Sequence, residues 1–127
     1  EQPHGFIIKD HEHKVLRLRK AHYGLHQAPR AWNAKLDASL LTLGFHKRDF
    51  EHAVYTHGNN TSHLIIGLYV DDLIITDTDV TNNNMFKAEM KKLFRMSDLG
   101  LVSYDLGIEV NQGPNRISLR QYAYATK

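Results

Sequence analysis

The stretch Leu64-Ile65-Ile66-Gly67-Leu68-Tyr69-Val70-Asp71-Asp72-Leu73-Ile74-Ile75-Thr76 sets two adjacent aspartates between two apolar runs. Short runs rich in Ile, Leu and Val read as strands, and nothing but the two acids separates Leu64–Val70 from Leu73–Thr76. The chain must therefore reverse at Asp71-Asp72. A hairpin between buried strands, with carboxylates at its tip, is the expected centre of the fold.

Working outward, Ala53–His57 reads as a further strand, joined to Ser62–Val70 by Gly58-Asn59-Asn60, residues that tolerate the positive φ of a tight turn. Upstream of it, Trp32, Leu36, Leu40 and Leu43 recur at helical spacing, with Pro29 in the first turn and Gly44 where a C-terminal cap belongs. Before that helix, Phe6–Lys9 and Lys14–Leu18 flank the polar stretch Asp10–His13 as a half-buried hairpin would. Downstream, Asp79 or Thr81 caps a second helix whose Phe86, Met90, Leu93 and Phe94 form one stripe, ending near Ser97–Gly100. Val102–Val110 and Arg116–Leu119 read as strands about the turn Asn111–Asn115, and Gln121–Lys127 as the opening of a helix. The fold class is α+β: an antiparallel sheet, two main helices packed on one face, and the aspartate hairpin at its centre.

The chain has 127 residues, enough for one core. Sixteen Lys and Arg against fourteen Asp and Glu leave a net charge of +2, too mild to establish a nucleic-acid partner. Cysteine is absent, which excludes disulfides and thiolate metal sites. The longest apolar run, Leu64–Val70, is far too short for a membrane span. The start at Glu1-Gln2-Pro3 and the finish inside a helix opening are read as cuts, so residues 1–127 are taken as a partial domain truncated at both ends.

The two acids admit two readings. Aspartate is favoured in reversals and is readily solvated at a hairpin tip. Two adjacent carboxylates at a buried tip instead repel each other and resist ionisation, which a cation would relieve. Magnesium suits carboxylate and phosphate oxygens together, and two ions about 3.5–4 Å apart stabilise both the attacking and leaving oxygens of a phosphoryl transfer. Asp77 and Asp79, flanking Thr78, are more simply a loop acid and a helix cap. The nine histidines, His11 and His13 among them, lack the partner spacing of a zinc site. Arg17, Arg19 and Lys20, near Tyr23 and Trp32, suit either a single-stranded template or plain solvent and core packing.

Four segments resemble the reverse transcriptases of copia-type LTR retrotransposons, in the family's order. They are Glu1-Gln2-Pro3-His4-Gly5-Phe6, then Tyr23-Gly24-Leu25-His26-Gln27-Ala28-Pro29-Arg30-Ala31-Trp32, then Leu68–Ile75, and finally Asp98-Leu99-Gly100 with Leu106-Gly107-Ile108-Glu109-Val110. The resemblance implies a partial polymerase palm from a Pol polyprotein. Its full form extends a primer on an RNA or DNA template from deoxynucleoside triphosphates, using two magnesium ions. It implies that Asp71 and Asp72 are two of three metal-holding acids, Asp71 the more critical, and that Tyr69 supports the turn beside the primer end. Gln27 falls near the incoming nucleotide, and Arg30 is a candidate for phosphate or template. The family works in cytoplasmic particles and delivers its product to the nucleus.

The same resemblance places the third acid upstream of Glu1, so the chain alone is expected to be inactive. The alternatives are a non-catalytic nucleic-acid-binding remnant and an inert fragment of a decayed element. His22, His26, Asp105 and Arg120 depart from the family's habit. Asp105 stands in an otherwise apolar strand, where burial without a partner would cost about a few kcal/mol.

Overall fold

The computed structural model describes residues 2, 4–15, 17–58 and 63–126. It divides into two compact units, Glu1–His46 and Lys47–Lys127.

The first unit is organised by α1 (Ala28–Thr42), with Pro29 in its opening turn, where a missing N–H leaves no bond unmade. Leu36 and Leu40 are fully buried, and Trp32 and Leu43 half-buried on the same stripe. Gly44, at φ 85°, ends the helix. Its N–H donates to the Leu41 carbonyl and the Phe45 N–H to that of Leu40, both at 3.0 Å. This paired closure needs a left-handed residue at Gly44, where a Cβ would cost about 1–2 kcal/mol, and it returns the chain so that Phe45 is buried as well.

The hairpin expected over Phe6–Lys9 and Lys14–Leu18 is not formed among the described residues; Leu16 lies outside them. Turns replace it, the His11 N–H bonding the Ile8 carbonyl at 3.0 Å and the Lys14 N–H that of His11 at 2.9 Å. The Gln2 carboxamide donates to the carbonyls of His11 and Lys14, both at 2.7 Å, and accepts from the Ile8 N–H at 3.0 Å. The physical reason is the want of a covering layer. Phe6, Ile7, Val15 and Leu18 are all more than half exposed, and a two-stranded ribbon without one is marginal.

The second unit holds two antiparallel sheets where a single sheet was expected. The first has the order β1 (His46–Lys47), β2 (Val54–Gly58), β3 (His63–Tyr69), β4 (Asp72–Asp77), the division between the units falling within β1. Register fixes its faces. Tyr55 pairs with Ile66 and Ile66 with Ile75, Leu64 lies opposite His57 and Asp77, and Leu68 opposite Leu73. On this face Tyr55, Leu64 and Ile66 are buried. The alternate residues, Val54, Gly67 and Ile74, then Thr56, Ile65 and Thr76, and finally Tyr69 and Asp72, line the opposite, open face. The turn read at Gly58-Asn59-Asn60 runs into residues 59–62, outside the described residues.

Helix α2 (Val80–Leu93) follows and packs against β4. The Asp79 carboxylate accepts from the Thr81 N–H at 2.8 Å, and the Asp77 carboxylate from the Asp79 N–H at 3.0 Å, so these two acids serve as cap and turn. Phe86, Met90 and Phe94 are buried, whereas Leu93 is 46% exposed. The helix stops at Phe94, whose extended backbone, φ −135° and ψ 148°, turns its ring inward in place of Leu93.

The second sheet has the order β5 (Tyr104–Asp105), β6 (Ile108–Gly113), β7 (Arg116–Arg120), followed by the short α3 (Tyr122–Ala125). The single strand expected over Val102–Val110 is broken at Leu106-Gly107, both at positive φ, 47° and 84°. Asp105 opposite Ile108 closes this two-residue reversal, which needs left-handed backbone at both central positions. Asp105 is therefore half-buried at a hairpin end rather than inside an apolar strand. The turn expected over Asn111–Asn115 contracts to Pro114-Asn115, because Gly113 pairs with Arg116.

Between α2 and this sheet, the Asp98 carboxylate accepts from the Gly100 N–H at 3.0 Å and from the Lys87 ammonium at 3.2 Å. The Gly100 N–H, and then Lys87, hold its pKa below the ordinary 3.8. Unfolding releases both partners and lets the pKa rise, so the stabilisation is fully present above that ordinary value and is lost as pH falls through the lowered one. Asp98→Asn is expected to melt below the wild type at neutral pH, with the gap closing in acid; a gap independent of pH in thermal melts would show that the charge is not its source.

Candidate active site

The candidate site is built from the β3–β4 hairpin. Tyr69 pairs with Asp72 in the last rung of the ladder, so the reversal falls on Val70-Asp71, one residue earlier than the sequence suggested. Val70 adopts φ 54°, and Asp71 is not in the left-handed region. A β-branched residue at positive φ is a true outlier, with a cost of about 1–3 kcal/mol that persists only where the flanking strands over-determine the turn. Here those strands are the six-rung apolar ladder from Leu64–Asp77 to Tyr69–Asp72.

The strained turn places the two acids differently. Asp71 stands on the turn itself, while Asp72 opens β4 and lies on the open face beside Tyr69. Both carboxylates are exposed, as are Tyr69 and Val70 at 53% and 65%. The hairpin core is buried, but its tip is in water, so burial at the tip, expected from the sequence, does not call for a cation here. What remains is the juxtaposition of two negative charges on consecutive residues. Among the described residues neither has an ion-pair partner, and no group of three or more His, Cys, Asp or Glu comes together. Two carboxylates without a third do not make an all-protein cage. They do fit the way magnesium binds, through one or two carboxylates with water and substrate phosphates completing the shell.

Gln27 and Arg30 belong to the other unit. Gln27 is the N-cap of α1 with helical backbone, φ −85° and ψ −9°, and its side chain makes no capping bond. Its carbonyl accepts from the Ala31 N–H at 3.1 Å, and the Gln27 and Arg30 side chains are exposed at the head of the helix. The hairpin thus brings together Tyr69, Asp71 and Asp72, all within the second unit. Sequence reasoning missed two features. Nothing in a valine signals positive φ, whereas the Asp-x-Gly spacing of Asp98 and Gly100 is a legible turn signal.

The chain matches the family described as reverse transcriptase (RNA-dependent DNA polymerase) over residues 1–127. It belongs to that family. Its relatives include the Retrovirus-related Pol polyprotein from transposon RE1 of Arabidopsis thaliana, 38% identical over 97% of this chain and 8% of the relative. The putative transposon Ty5-1 protein of Saccharomyces cerevisiae is 34% identical over 96% of this chain and 41% of its own length. The Pol polyprotein from transposon TNT 1-94 of Nicotiana tabacum is 35% identical over 87% of this chain and 8% of its own. This reverse transcriptase segment thus spans less than half the length of each of these relatives. No solved structure matches it. Among the described residues no helix is long and apolar enough to cross a membrane.

Proposed function

We propose that this chain is part of the palm of an RNA-directed DNA polymerase within a retrotransposon Pol polyprotein, and that its β3–β4 hairpin carries two of the acids at the centre of nucleotidyl transfer. The observation that supports this reading most is the hairpin tip. A strained two-residue turn at the end of an apolar ladder fixes Asp71 and Asp72 side by side in solvent, where a large substrate can reach both.

Asp71 and Asp72 are the residues that would hold magnesium, and the ion, when bound, supplies positive charge against the phosphate oxygens of the transferring group. The chain's own residues position the strand to be extended. Tyr69, on the open face next to Asp72, offers an exposed ring against which a primer nucleotide rests. Gln27 and Arg30 are assigned to the incoming nucleotide and to phosphate, on the resemblance of the segment from Tyr23 to Trp32. The remaining acid comes from elsewhere in the polyprotein, so the chain by itself binds without extending.

The test uses a DNA primer annealed to an RNA template. The chain is expected to bind it with an affinity that falls roughly tenfold between 50 and 200 mM salt, as two neutralised phosphates require, and to add no nucleotide. The polyprotein carrying the segment is expected to extend the primer when magnesium is supplied. Absence of binding at low salt would leave an inert fragment, and binding by a polyprotein that never extends would leave a non-catalytic remnant.

A further inference from the structure

Gly67 has no purpose inside the protein. It sits in the middle of β3, the strand paired on both sides, opposite Val54 on β2 and Ile74 on β4. Its φ is not in the left-handed region, and a Cβ built there meets no atom within 4 Å. Neither backbone conformation nor packing asks for glycine, yet glycine in a strand costs about 0.5–1 kcal/mol relative to alanine.

What Gly67 supplies is height. On the open face its neighbours along β3 are Ile65 and Tyr69, and across the ladder Val54 and Ile74, so the missing side chain leaves a bare patch of backbone among four larger residues. Ile65, Tyr69 and Ile74 are 38%, 53% and 39% exposed, while Val54 and Gly67 itself are half-buried, so the rim is apolar and open on three of its four sides. The patch lies one row behind the Tyr69–Asp72 rung, a separation of roughly 7 Å for two residues of strand. That is about two nucleotide steps along a strand whose end rests at the carboxylates.

We infer that Gly67 is a clearance position: the backbone of β3 is left bare so that the sugar of the primer strand, just behind its 3′ end, can settle onto the open face. This rests on the polymerase reading above and adds to it a residue that positions the primer through the absence of a side chain.

The test is a size series, Gly67→Ala and Gly67→Val, in the 127-residue chain. Melting temperature is measured alongside affinity for the primer–template duplex and for the unannealed template. Both variants are expected to melt at or above the wild type, because the added atoms meet nothing and favour the strand. Duplex affinity is expected to fall a few-fold for alanine and at least tenfold for valine, while affinity for the template alone stays within twofold. Equal duplex binding by Gly67→Val would overturn the inference, and so would an equal loss on the template alone, or lowered melting in both variants, which would show that glycine serves packing. A wild-type chain that binds no duplex would remove the polymerase reading itself and this inference with it.

Discussion

Asp71→Asn in the polyprotein carrying this segment is expected to slow magnesium-dependent primer extension about a thousandfold, with melting unchanged and primer–template affinity equal or slightly higher. Asp71 is exposed at a turn, so the substitution exchanges one oxygen for an amide nitrogen without disturbing a packed contact, and stability has no reason to move. Binding has reason to improve, because one of two negative charges facing a polyanion is removed. Catalysis alone is struck. A carboxylate that helps hold a divalent cation contributes several kcal/mol of charge stabilisation at the transferring phosphoryl group, and about 4 kcal/mol is a factor of a thousand in rate. Asp72→Asn is expected to be damaging but less so, since the family resemblance gives Asp71 the leading part. Single-turnover extension at saturating primer–template separates the effects, and a variant within tenfold of wild type would sink the assignment of Asp71.

The contrast between this hairpin and the rest of the chain shows what a sequence can reveal. The two apolar runs about Asp71-Asp72 were legible as strands because short runs of Ile and Leu suit a pleated, half-buried surface, and only two acids interrupt them. The helix ends at Pro29, Gly44 and Asp79 were legible because each uses a residue whose chemistry suits nothing else at that position. The position of the reversal was not, because the turn places a valine at φ 54°, a choice that local propensity argues against and that the flanking ladder imposes. Val102–Val110 misled for a related reason. Alternating apolar residues signal strand, and the signal persists through Leu106-Gly107 although the chain doubles back there. The opening segment misled because its alternation implies a covered face, and Phe6, Ile7 and Val15 are exposed. Ile117 and Leu119 of β7 are likewise 68% and 65% exposed. A pattern tells which residues would share a face, not whether anything lies against it.

Ile66→Ala is expected to destabilise the second unit strongly, and its neighbour tests the register on which the functional reading depends. Ile66 is fully buried in the central strand, between Tyr55 and Ile75 on the core face. Truncating it removes three carbons from water-excluded packing and leaves a cavity, a loss of about 2–5 kcal/mol. A unit of this size has only about 4–12 kcal/mol of net stability, and each kcal/mol moves a small domain's melting point by roughly 4–8 °C, so a fall of at least ~8 °C is expected. Ile65→Ala, one residue away on the open face and 38% exposed already, should cost less than about 1 kcal/mol. A slip of one residue in the pairing of β3 would exchange these outcomes, because it turns every side chain of the strand to the other face. Tyr69 and Gly67 share the face of Ile65. If Ile65→Ala were the severe change and Ile66→Ala the mild one, Tyr69 and Gly67 would face the core, and neither the ring beside the primer nor the cleared patch behind it would be available to a nucleic acid.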